Sequence, residues 1–165
     1  MGHGIAFEFA KFGHNVTLFD ISLKNLNIAK NKIDKLISSS GNCDSYKKIT
    51  FIKNLKDSVA NAEIVVEAIN ENYQAKVDLY SRLEIFLDKN SLIISNTSSL
   101  LPSKLSKNLD NPERFFVTHY FNPAYNIPLV EIVPSLQTDS RNIDKIKNLF
   151  SCINKQPILI KKEIN

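Results

Sequence analysis

Glycine is scarce: the chain of 165 residues holds 4 of them, where average usage gives about 12. That excludes collagen-like and glycine-rich low-complexity chains. Cysteine is equally thin. Cys43 and Cys152 lie far apart, in no metal-ligand or redox spacing, and read as reduced thiols, which excludes a disulfide scaffold. No run approaches the roughly 20 apolar residues of a membrane helix. No charged-then-apolar leader opens the chain, so the expected address is cytoplasmic, without a membrane partner. Arginine is rare, with only Arg82, Arg114 and Arg141. Lysine and arginine together number 21 against 17 acids, for a net charge of +4, and the lysines are scattered along helical stretches. A nucleic-acid binder concentrates arginine and stacking aromatics on one face, so no nucleic-acid partner is expected. A modest positive field still favours anionic ligands.

Apolar residues make up 43% of the chain, enough for one domain with a real core. Gly2 to Phe12 reads as a helix, ended by a turn at Gly13-His14-Asn15. Val16 to Phe19 is a short strand that stops at Asp20. Leu26, Ala29, Ile33, Leu36 and Ile37 recur at helical spacing, so a helix runs to about Ser38. Ser38 to Asn42 reads as a loop. Ile49 to Ile52 is a weak strand, Leu55 to Asn61 a short helix, and Ile64 to Ile69 a buried strand. Val77, Tyr80, Leu83 and Leu87 mark a further helix. Leu92 to Ser95 is the next strand, and Pro102 opens a short helix. Phe115 to Tyr120 and Leu129 to Val133 are strands, Ile143 to Ile153 is a helix, and Ile158 to Ile160 is a strand. This alternation predicts an α/β fold with a doubly wound, mostly parallel sheet.

One connection breaks the parallel rule. Only eight residues, two of them proline, separate Tyr120 from Leu129, and a parallel crossover needs a dozen or more. The two strands are therefore expected to pair antiparallel, folding about Tyr125. His119 and Glu131 lie equally far from Tyr125 on either side, so that register predicts a His–carboxylate pair.

Three clusters carry chemistry. Met1-Gly2-His3-Gly4-Ile5-Ala6 looks like the tail of a glycine-rich dinucleotide fingerprint, with the helix N-terminus offering amide donors to a pyrophosphate. Asp20 lies 18 residues after Gly2, at a strand end, where an acid accepts from ribose hydroxyls and repels a 2′-phosphate. No arginine follows it, which favours NAD over NADP. Taken alone, these residues equally suit a plain helix start and a strand-end acid. Ser95-Asn96-Thr97-Ser98-Ser99-Leu100 follows a buried strand, where open α/β sheets bind ligands; taken alone, it suits a helix cap and turn better. His119-Tyr120-Phe121-Asn122-Pro123 offers an imidazole able to accept an alcohol proton. Glu131 would fix its tautomer.

Together these segments, with Val65-Val66-Glu67-Ala68-Ile69-Asn70-Glu71-Asn72 and Leu129-Val130-Glu131, resemble the NAD-binding domain of the L-3-hydroxyacyl-CoA dehydrogenase family over essentially the whole chain. The resemblance implies a Rossmann-type fold and reversible NAD-dependent oxidation of an L-3-hydroxyacyl-CoA, as in fatty-acid β-oxidation or 3-hydroxybutyryl-CoA metabolism. It implies His119 as catalytic base, Glu131 as its partner and Ser98 on the substrate oxygen and against the cofactor near the nicotinamide. Asn122 would hold cofactor and substrate, and Gly2, Asp20, Glu71 and Lys76 would contact the cofactor; apart from the family, Glu71 and Lys76 read as an exposed helix-face pair. The family's first strand and its first two fingerprint glycines have no counterpart before Gly2. The family also continues into a helical domain for substrate binding and dimerisation, beyond Asn165. The expectation is therefore an NAD-binding domain over residues 1–165, incomplete at its N-terminus, from a longer protein with an acyl-CoA substrate and a homodimeric state. Alternatives are a related carnitine or sugar-acid dehydrogenase, or a catalytically silent NAD-binding structural protein.

Overall fold

Helix α1 (Gly2–Lys11) is buried around most of its girth, with Gly4, Ile5, Ala6, Phe7, Glu8 and Ala10 all inside. The computed structural model describes residues 1–40 and 48–163. They divide into two units, the first comprising residues 1–59 and 122–127 and the second the remainder.

In the first unit α1 is followed by β1 (Val16–Phe19), α2 (Leu23–Ser40), β2 (Ile49–Ile52) and α3 (Leu55–Val59). Ala6, Phe7, Ala10 and Ile33 form its buried centre, ringed by Val16, Leu18, Leu36, Ile37, Ile49, Phe51 and Tyr125. β1 and β2 pair parallel, with Val16 opposite Ile49. Gly13 follows α1 at φ 87°, a left-handed conformation that costs glycine little.

The second unit runs β3 (Ile64–Glu67), α4 (Tyr73–Phe86), β4 (Leu92–Ser95), α5 (Pro102–Ser106), β5 (Phe115–Tyr120), β6 (Leu129–Pro134), α6 (Ser140–Cys152) and β7 (Gln156–Leu159). Its sheet has the order β3-β4-β5-β6-β7. β3, β4 and β5 are parallel, β5 and β6 antiparallel, and β6 and β7 parallel. Every residue of β4 is buried, as a strand covered on both faces requires. Leu92, Ile93, Ile94, Phe115, Phe116, Ile132, Ile146 and Phe150 are all fully buried, and each such side chain contributes about 1.5–3 kcal/mol. Asn72 caps α4 by accepting from the Ala75 N–H at 2.9 Å. Asp139 does the same for α6, from the Arg141 N–H at 2.8 Å.

Several boundaries differ from expectation, and some have a definite cause. Ser38, Ser39 and Ser40 belong to α2 instead of a loop, because their hydroxyls donate back to carbonyls of the preceding turn, which satisfies them without breaking the helix. The rest of the expected loop, Gly41 and Asn42, lies outside the described residues, as does Cys43. α3 stops at Val59, short of Asn61. β3 stops at Glu67 instead of Ile69, because the Glu67 carboxylate takes the Ile69 N–H at 2.7 Å. β7 begins at Gln156 and contains Pro157; at the sheet edge a proline is tolerated.

Candidate functional site

The antiparallel register of β5 and β6 sets His119 directly opposite Glu131. His119 Nδ1 and Glu131 Oε2 are 2.9 Å apart. A carboxylate can only accept, so Nδ1 carries a proton, and in the neutral imidazole Nε2 keeps its lone pair. The two side chains are 27% and 34% exposed, shielded enough to hold their geometry and open enough to meet a ligand. The Phe121 ring flanks the imidazole at 4.9 Å. Such a pair can take a proton at Nε2 and stabilise the resulting imidazolium through Nδ1.

At the end of the neighbouring strand β4, the chain turns through Asn96, Thr97, Ser98 and Ser99. Asn96 Oδ1 accepts from the Tyr120 N–H at 3.0 Å, tying this turn to the residue after His119. Glu71 Oε1 brackets the turn. It accepts from the Thr97 hydroxyl, from the Ser98 and Ser99 N–H groups at 3.0 and 3.1 Å, and from the Ser99 hydroxyl at 3.0 Å. Ser98 and Ser99 are both exposed, and the Ser98 hydroxyl, unlike that of Ser99, is not directed at Glu71. Partial burial works against ionisation of Glu71, but the hydrogen bonds from Thr97, Ser99 and Ser98 and the Lys76 charge outweigh it. They hold its carboxyl down at about 2. Because that value lies below the ordinary one, the bracket's contribution to stability is present above pH 4.5 and drains away as pH falls towards 2. Carbon-13 NMR titration of the Glu71 carboxyl is expected to place its midpoint near 2; a midpoint at the ordinary carboxylate value would show the bracket does not form.

Lys76 is fully buried, not half of an exposed helix-face pair. Its ammonium lies 2.7 Å from Glu67 Oε1 and 3.3 Å from Glu71 Oε2. Glu67, also buried, accepts in addition from the Ile69 N–H, from the Tyr80 hydroxyl at 2.5 Å and from the Ser95 hydroxyl at 2.7 Å. Burial, with the Glu67 charge and hydrogen bond, pushes the Tyr80 phenol strongly upward, so it remains a donor. Sequence reasoning missed Glu67, Tyr80 and Ser95 as a group. A signal was available: an acid closing the apolar run from Ile64 needs partners, and Lys76 and Tyr80 share one helix face at i, i+4.

The first unit carries the other expected positions. α1 has no side-chain N-cap hydrogen bond, and a Cβ built on Gly2 would meet nothing within 4 Å. At Gly4 a Cβ would come within 3.3 Å of the Tyr125 ring, so this glycine serves close packing. Asp20 accepts from the Ser22 N–H at 2.8 Å, and from Asn25 Nδ2 at 3.2 Å on both carboxylate oxygens. Asn122 is exposed and begins the segment that returns to this unit. An uncapped helix start with open space at Gly2, and an ionisable acid at a strand end, fit the pyrophosphate and the adenosine ribose of NAD.

The β-α alternation, with a mostly parallel sheet that carries one antiparallel pair, defines an NAD-binding domain of the Rossmann type. The chain belongs to the family described as 3-hydroxyacyl-CoA dehydrogenase, NAD binding domain, whose model matches residues 1–164. Among solved structures it is similar to (S)-3-hydroxybutyryl-CoA dehydrogenase from Ralstonia eutropha, with 30% identity and a TM-score of 0.92 over 99% of this chain and 60% of that one. It is also similar to the 3-hydroxyacyl-CoA dehydrogenase of Archaeoglobus fulgidus, with 33% identity and a TM-score of 0.86 over 99% of this chain and 54% of that one. A third similar structure, at 25% identity and a TM-score of 0.92 over 99% of this chain and 55% of that one, is an NAD-dependent dismutase that acts as a 5-dehydrogenase on a pyridine carboxylic acid. The chain thus spans little more than half the length of these structures.

Proposed function

We propose that this chain is the NAD-binding and catalytic-base domain of a dehydrogenase that oxidises an L-3-hydroxyacyl-CoA reversibly to the 3-oxoacyl-CoA. The observation that supports it most is the 2.9 Å contact between His119 Nδ1 and Glu131, on a pair that is neither buried nor fully exposed. NAD, when bound, accepts the hydride that leaves C3 of the substrate. His119 takes the hydroxyl proton at Nε2 as the carbonyl forms, and Glu131 holds the tautomer and balances the imidazolium. Ser98, exposed in its turn, donates to the substrate oxygen and orients it.

The cofactor-facing groups of the same proposal are the Gly2 helix start, Asp20 and Asn122 in the first unit and Glu71 in the second. Lys76 belongs with this set through its contact to Glu71. Asp20 accepts from the ribose diol and disfavours a 2′-phosphate. The partners are an acyl-CoA and, in the native protein, a helical domain and a second copy of the chain; the cytosol is the proposed location.

Comparing coenzyme A thioesters with free acids tests the substrate class. The native full-length protein, given NADH, is expected to reduce acetoacetyl-CoA at a kcat/KM at least about a hundredfold above that for free acetoacetate, because distant binding energy is used to position the reacting carbon. Equal or reversed values would contradict the thioester assignment and support a free-acid dehydrogenase, as the similarity to the pyridine-acid enzyme permits.

A further inference from the structure

The interior of the second unit holds a charged cluster built on Glu67, which none of the roles above uses. Glu67 and Lys76 form an ion pair with side-chain exposures of 0% and 1%. Such pairs contribute little net stability, because removing two charges from water costs about as much as their attraction returns. Its presence therefore calls for a reason other than stability, and its connections supply one.

Glu67 closes β3, fixed there by the Ile69 N–H, the Tyr80 hydroxyl and the Ser95 hydroxyl. Tyr80 is itself held with its ring 5.1 Å from Phe115 in an edge-on contact. Lys76 bridges this rigid acceptor to Glu71, which is 36% exposed. An acid so exposed, on a loop before α4, would by itself sample several rotamers. With its Oε2 anchored by Lys76, Glu71 presents Oε1 as one fixed acceptor to the Thr97–Ser99 turn. The chain of contacts runs from the core, through Lys76 and Glu71, to the backbone N–H of Ser98.

We infer that Glu67 and Lys76 are positioning residues: through Glu71 they hold Ser98 in a single placement beside the β5 strand that carries His119. The inference rests on the assignment of Ser98 and His119 proposed above. It also separates Lys76 from direct cofactor binding, because the ammonium acts on Glu71 from within the core.

The test uses the native full-length protein with NAD and 3-hydroxybutyryl-CoA. A Glu67→Gln/Lys76→Met double variant removes both charges and keeps the volume. In one orientation the amide that replaces the Glu67 carboxylate still accepts from the Ile69 N–H, and its NH2 donates to the Tyr80 and Ser95 oxygens, so each of these groups keeps a hydrogen bond to residue 67. The expected result is near-native thermal stability and a kcat lower by about tenfold to a hundredfold, the scale of a small misplacement of an orienting group, with any rise in the KM for NAD smaller than the fall in kcat. Unchanged kcat would overturn the inference. So would a raised KM for NAD with kcat intact, which would assign Lys76 to the cofactor instead. Tyr80→Phe keeps the ring against Phe115 and removes one donor from Glu67; it is expected to lower kcat by a smaller factor at constant KM for NAD. If the double variant does not fold, native kcat in Tyr80→Phe overturns the inference. Ser98→Ala and His119→Ala serve as parallel controls. If both leave kcat intact, the site assignment fails and the inference with it. If both lower kcat and the double variant does not, only the positioning role fails.

Discussion

Replacing His119 with alanine in the native full-length protein is expected to lower kcat for 3-hydroxybutyryl-CoA oxidation by about 10²- to 10⁴-fold, the range for loss of a general base. The dissociation constant for NAD should stay unchanged, because the imidazole is assigned to the substrate hydroxyl. Glu131→Gln should fall in the same direction by a smaller factor. A glutamine oxygen can still accept from Nδ1 across the same 2.9 Å, so the tautomer survives. The negative charge that balances the imidazolium does not. Rates within about threefold of native for both variants would remove the His–carboxylate pair from the chemistry.

The second large effect is on stability. Lys76→Met alone strands Glu67, a carboxylate with no exposed surface, and should cost about 3–5 kcal/mol, the usual result of breaking a buried pair from one side. Adding Glu67→Gln should recover most of that loss, since no unpaired charge then remains buried. Urea denaturation of the native, single and double variants measures both steps. A loss below about 1 kcal/mol in the single variant would mean that Glu67 has no need of the cation. That result would also remove the physical ground for treating the pair as an anchor.

The pairing of His119 with Glu131 was legible because connection length alone forces antiparallel pairing, and position about Tyr125 then sets the register. The alternation of apolar strands and helical stripes marked the α/β class in the same way, since burial on both faces leaves runs such as Leu92 to Ile94 without polar interruption. The Glu67 cluster was legible only in its local part, the i, i+4 pair of Lys76 and Tyr80, for a physical reason. Its members come from β3, α4 and β4, and no periodicity signals a contact between residues far apart in sequence such as Glu67 and Ser95. Lys76 illustrates the same limit. At helical spacing it looks like a solvated lysine, and only the fold turns it inward onto an acid. The helix through Ser38 to Ser40 escaped for a smaller reason: serine suits a loop, and what decides is whether its hydroxyl finds a carbonyl one turn back.

The central claim is that His119, oriented by Glu131, removes the hydroxyl proton during oxidation at C3. Single-turnover formation of NADH, with enzyme in excess over 3-hydroxybutyryl-CoA and NAD saturating, isolates that step from product release. His119→Ala is expected to slow the single-turnover rate by at least about a hundredfold while NAD binds as tightly as before. A native single-turnover rate in His119→Ala would contradict the claim.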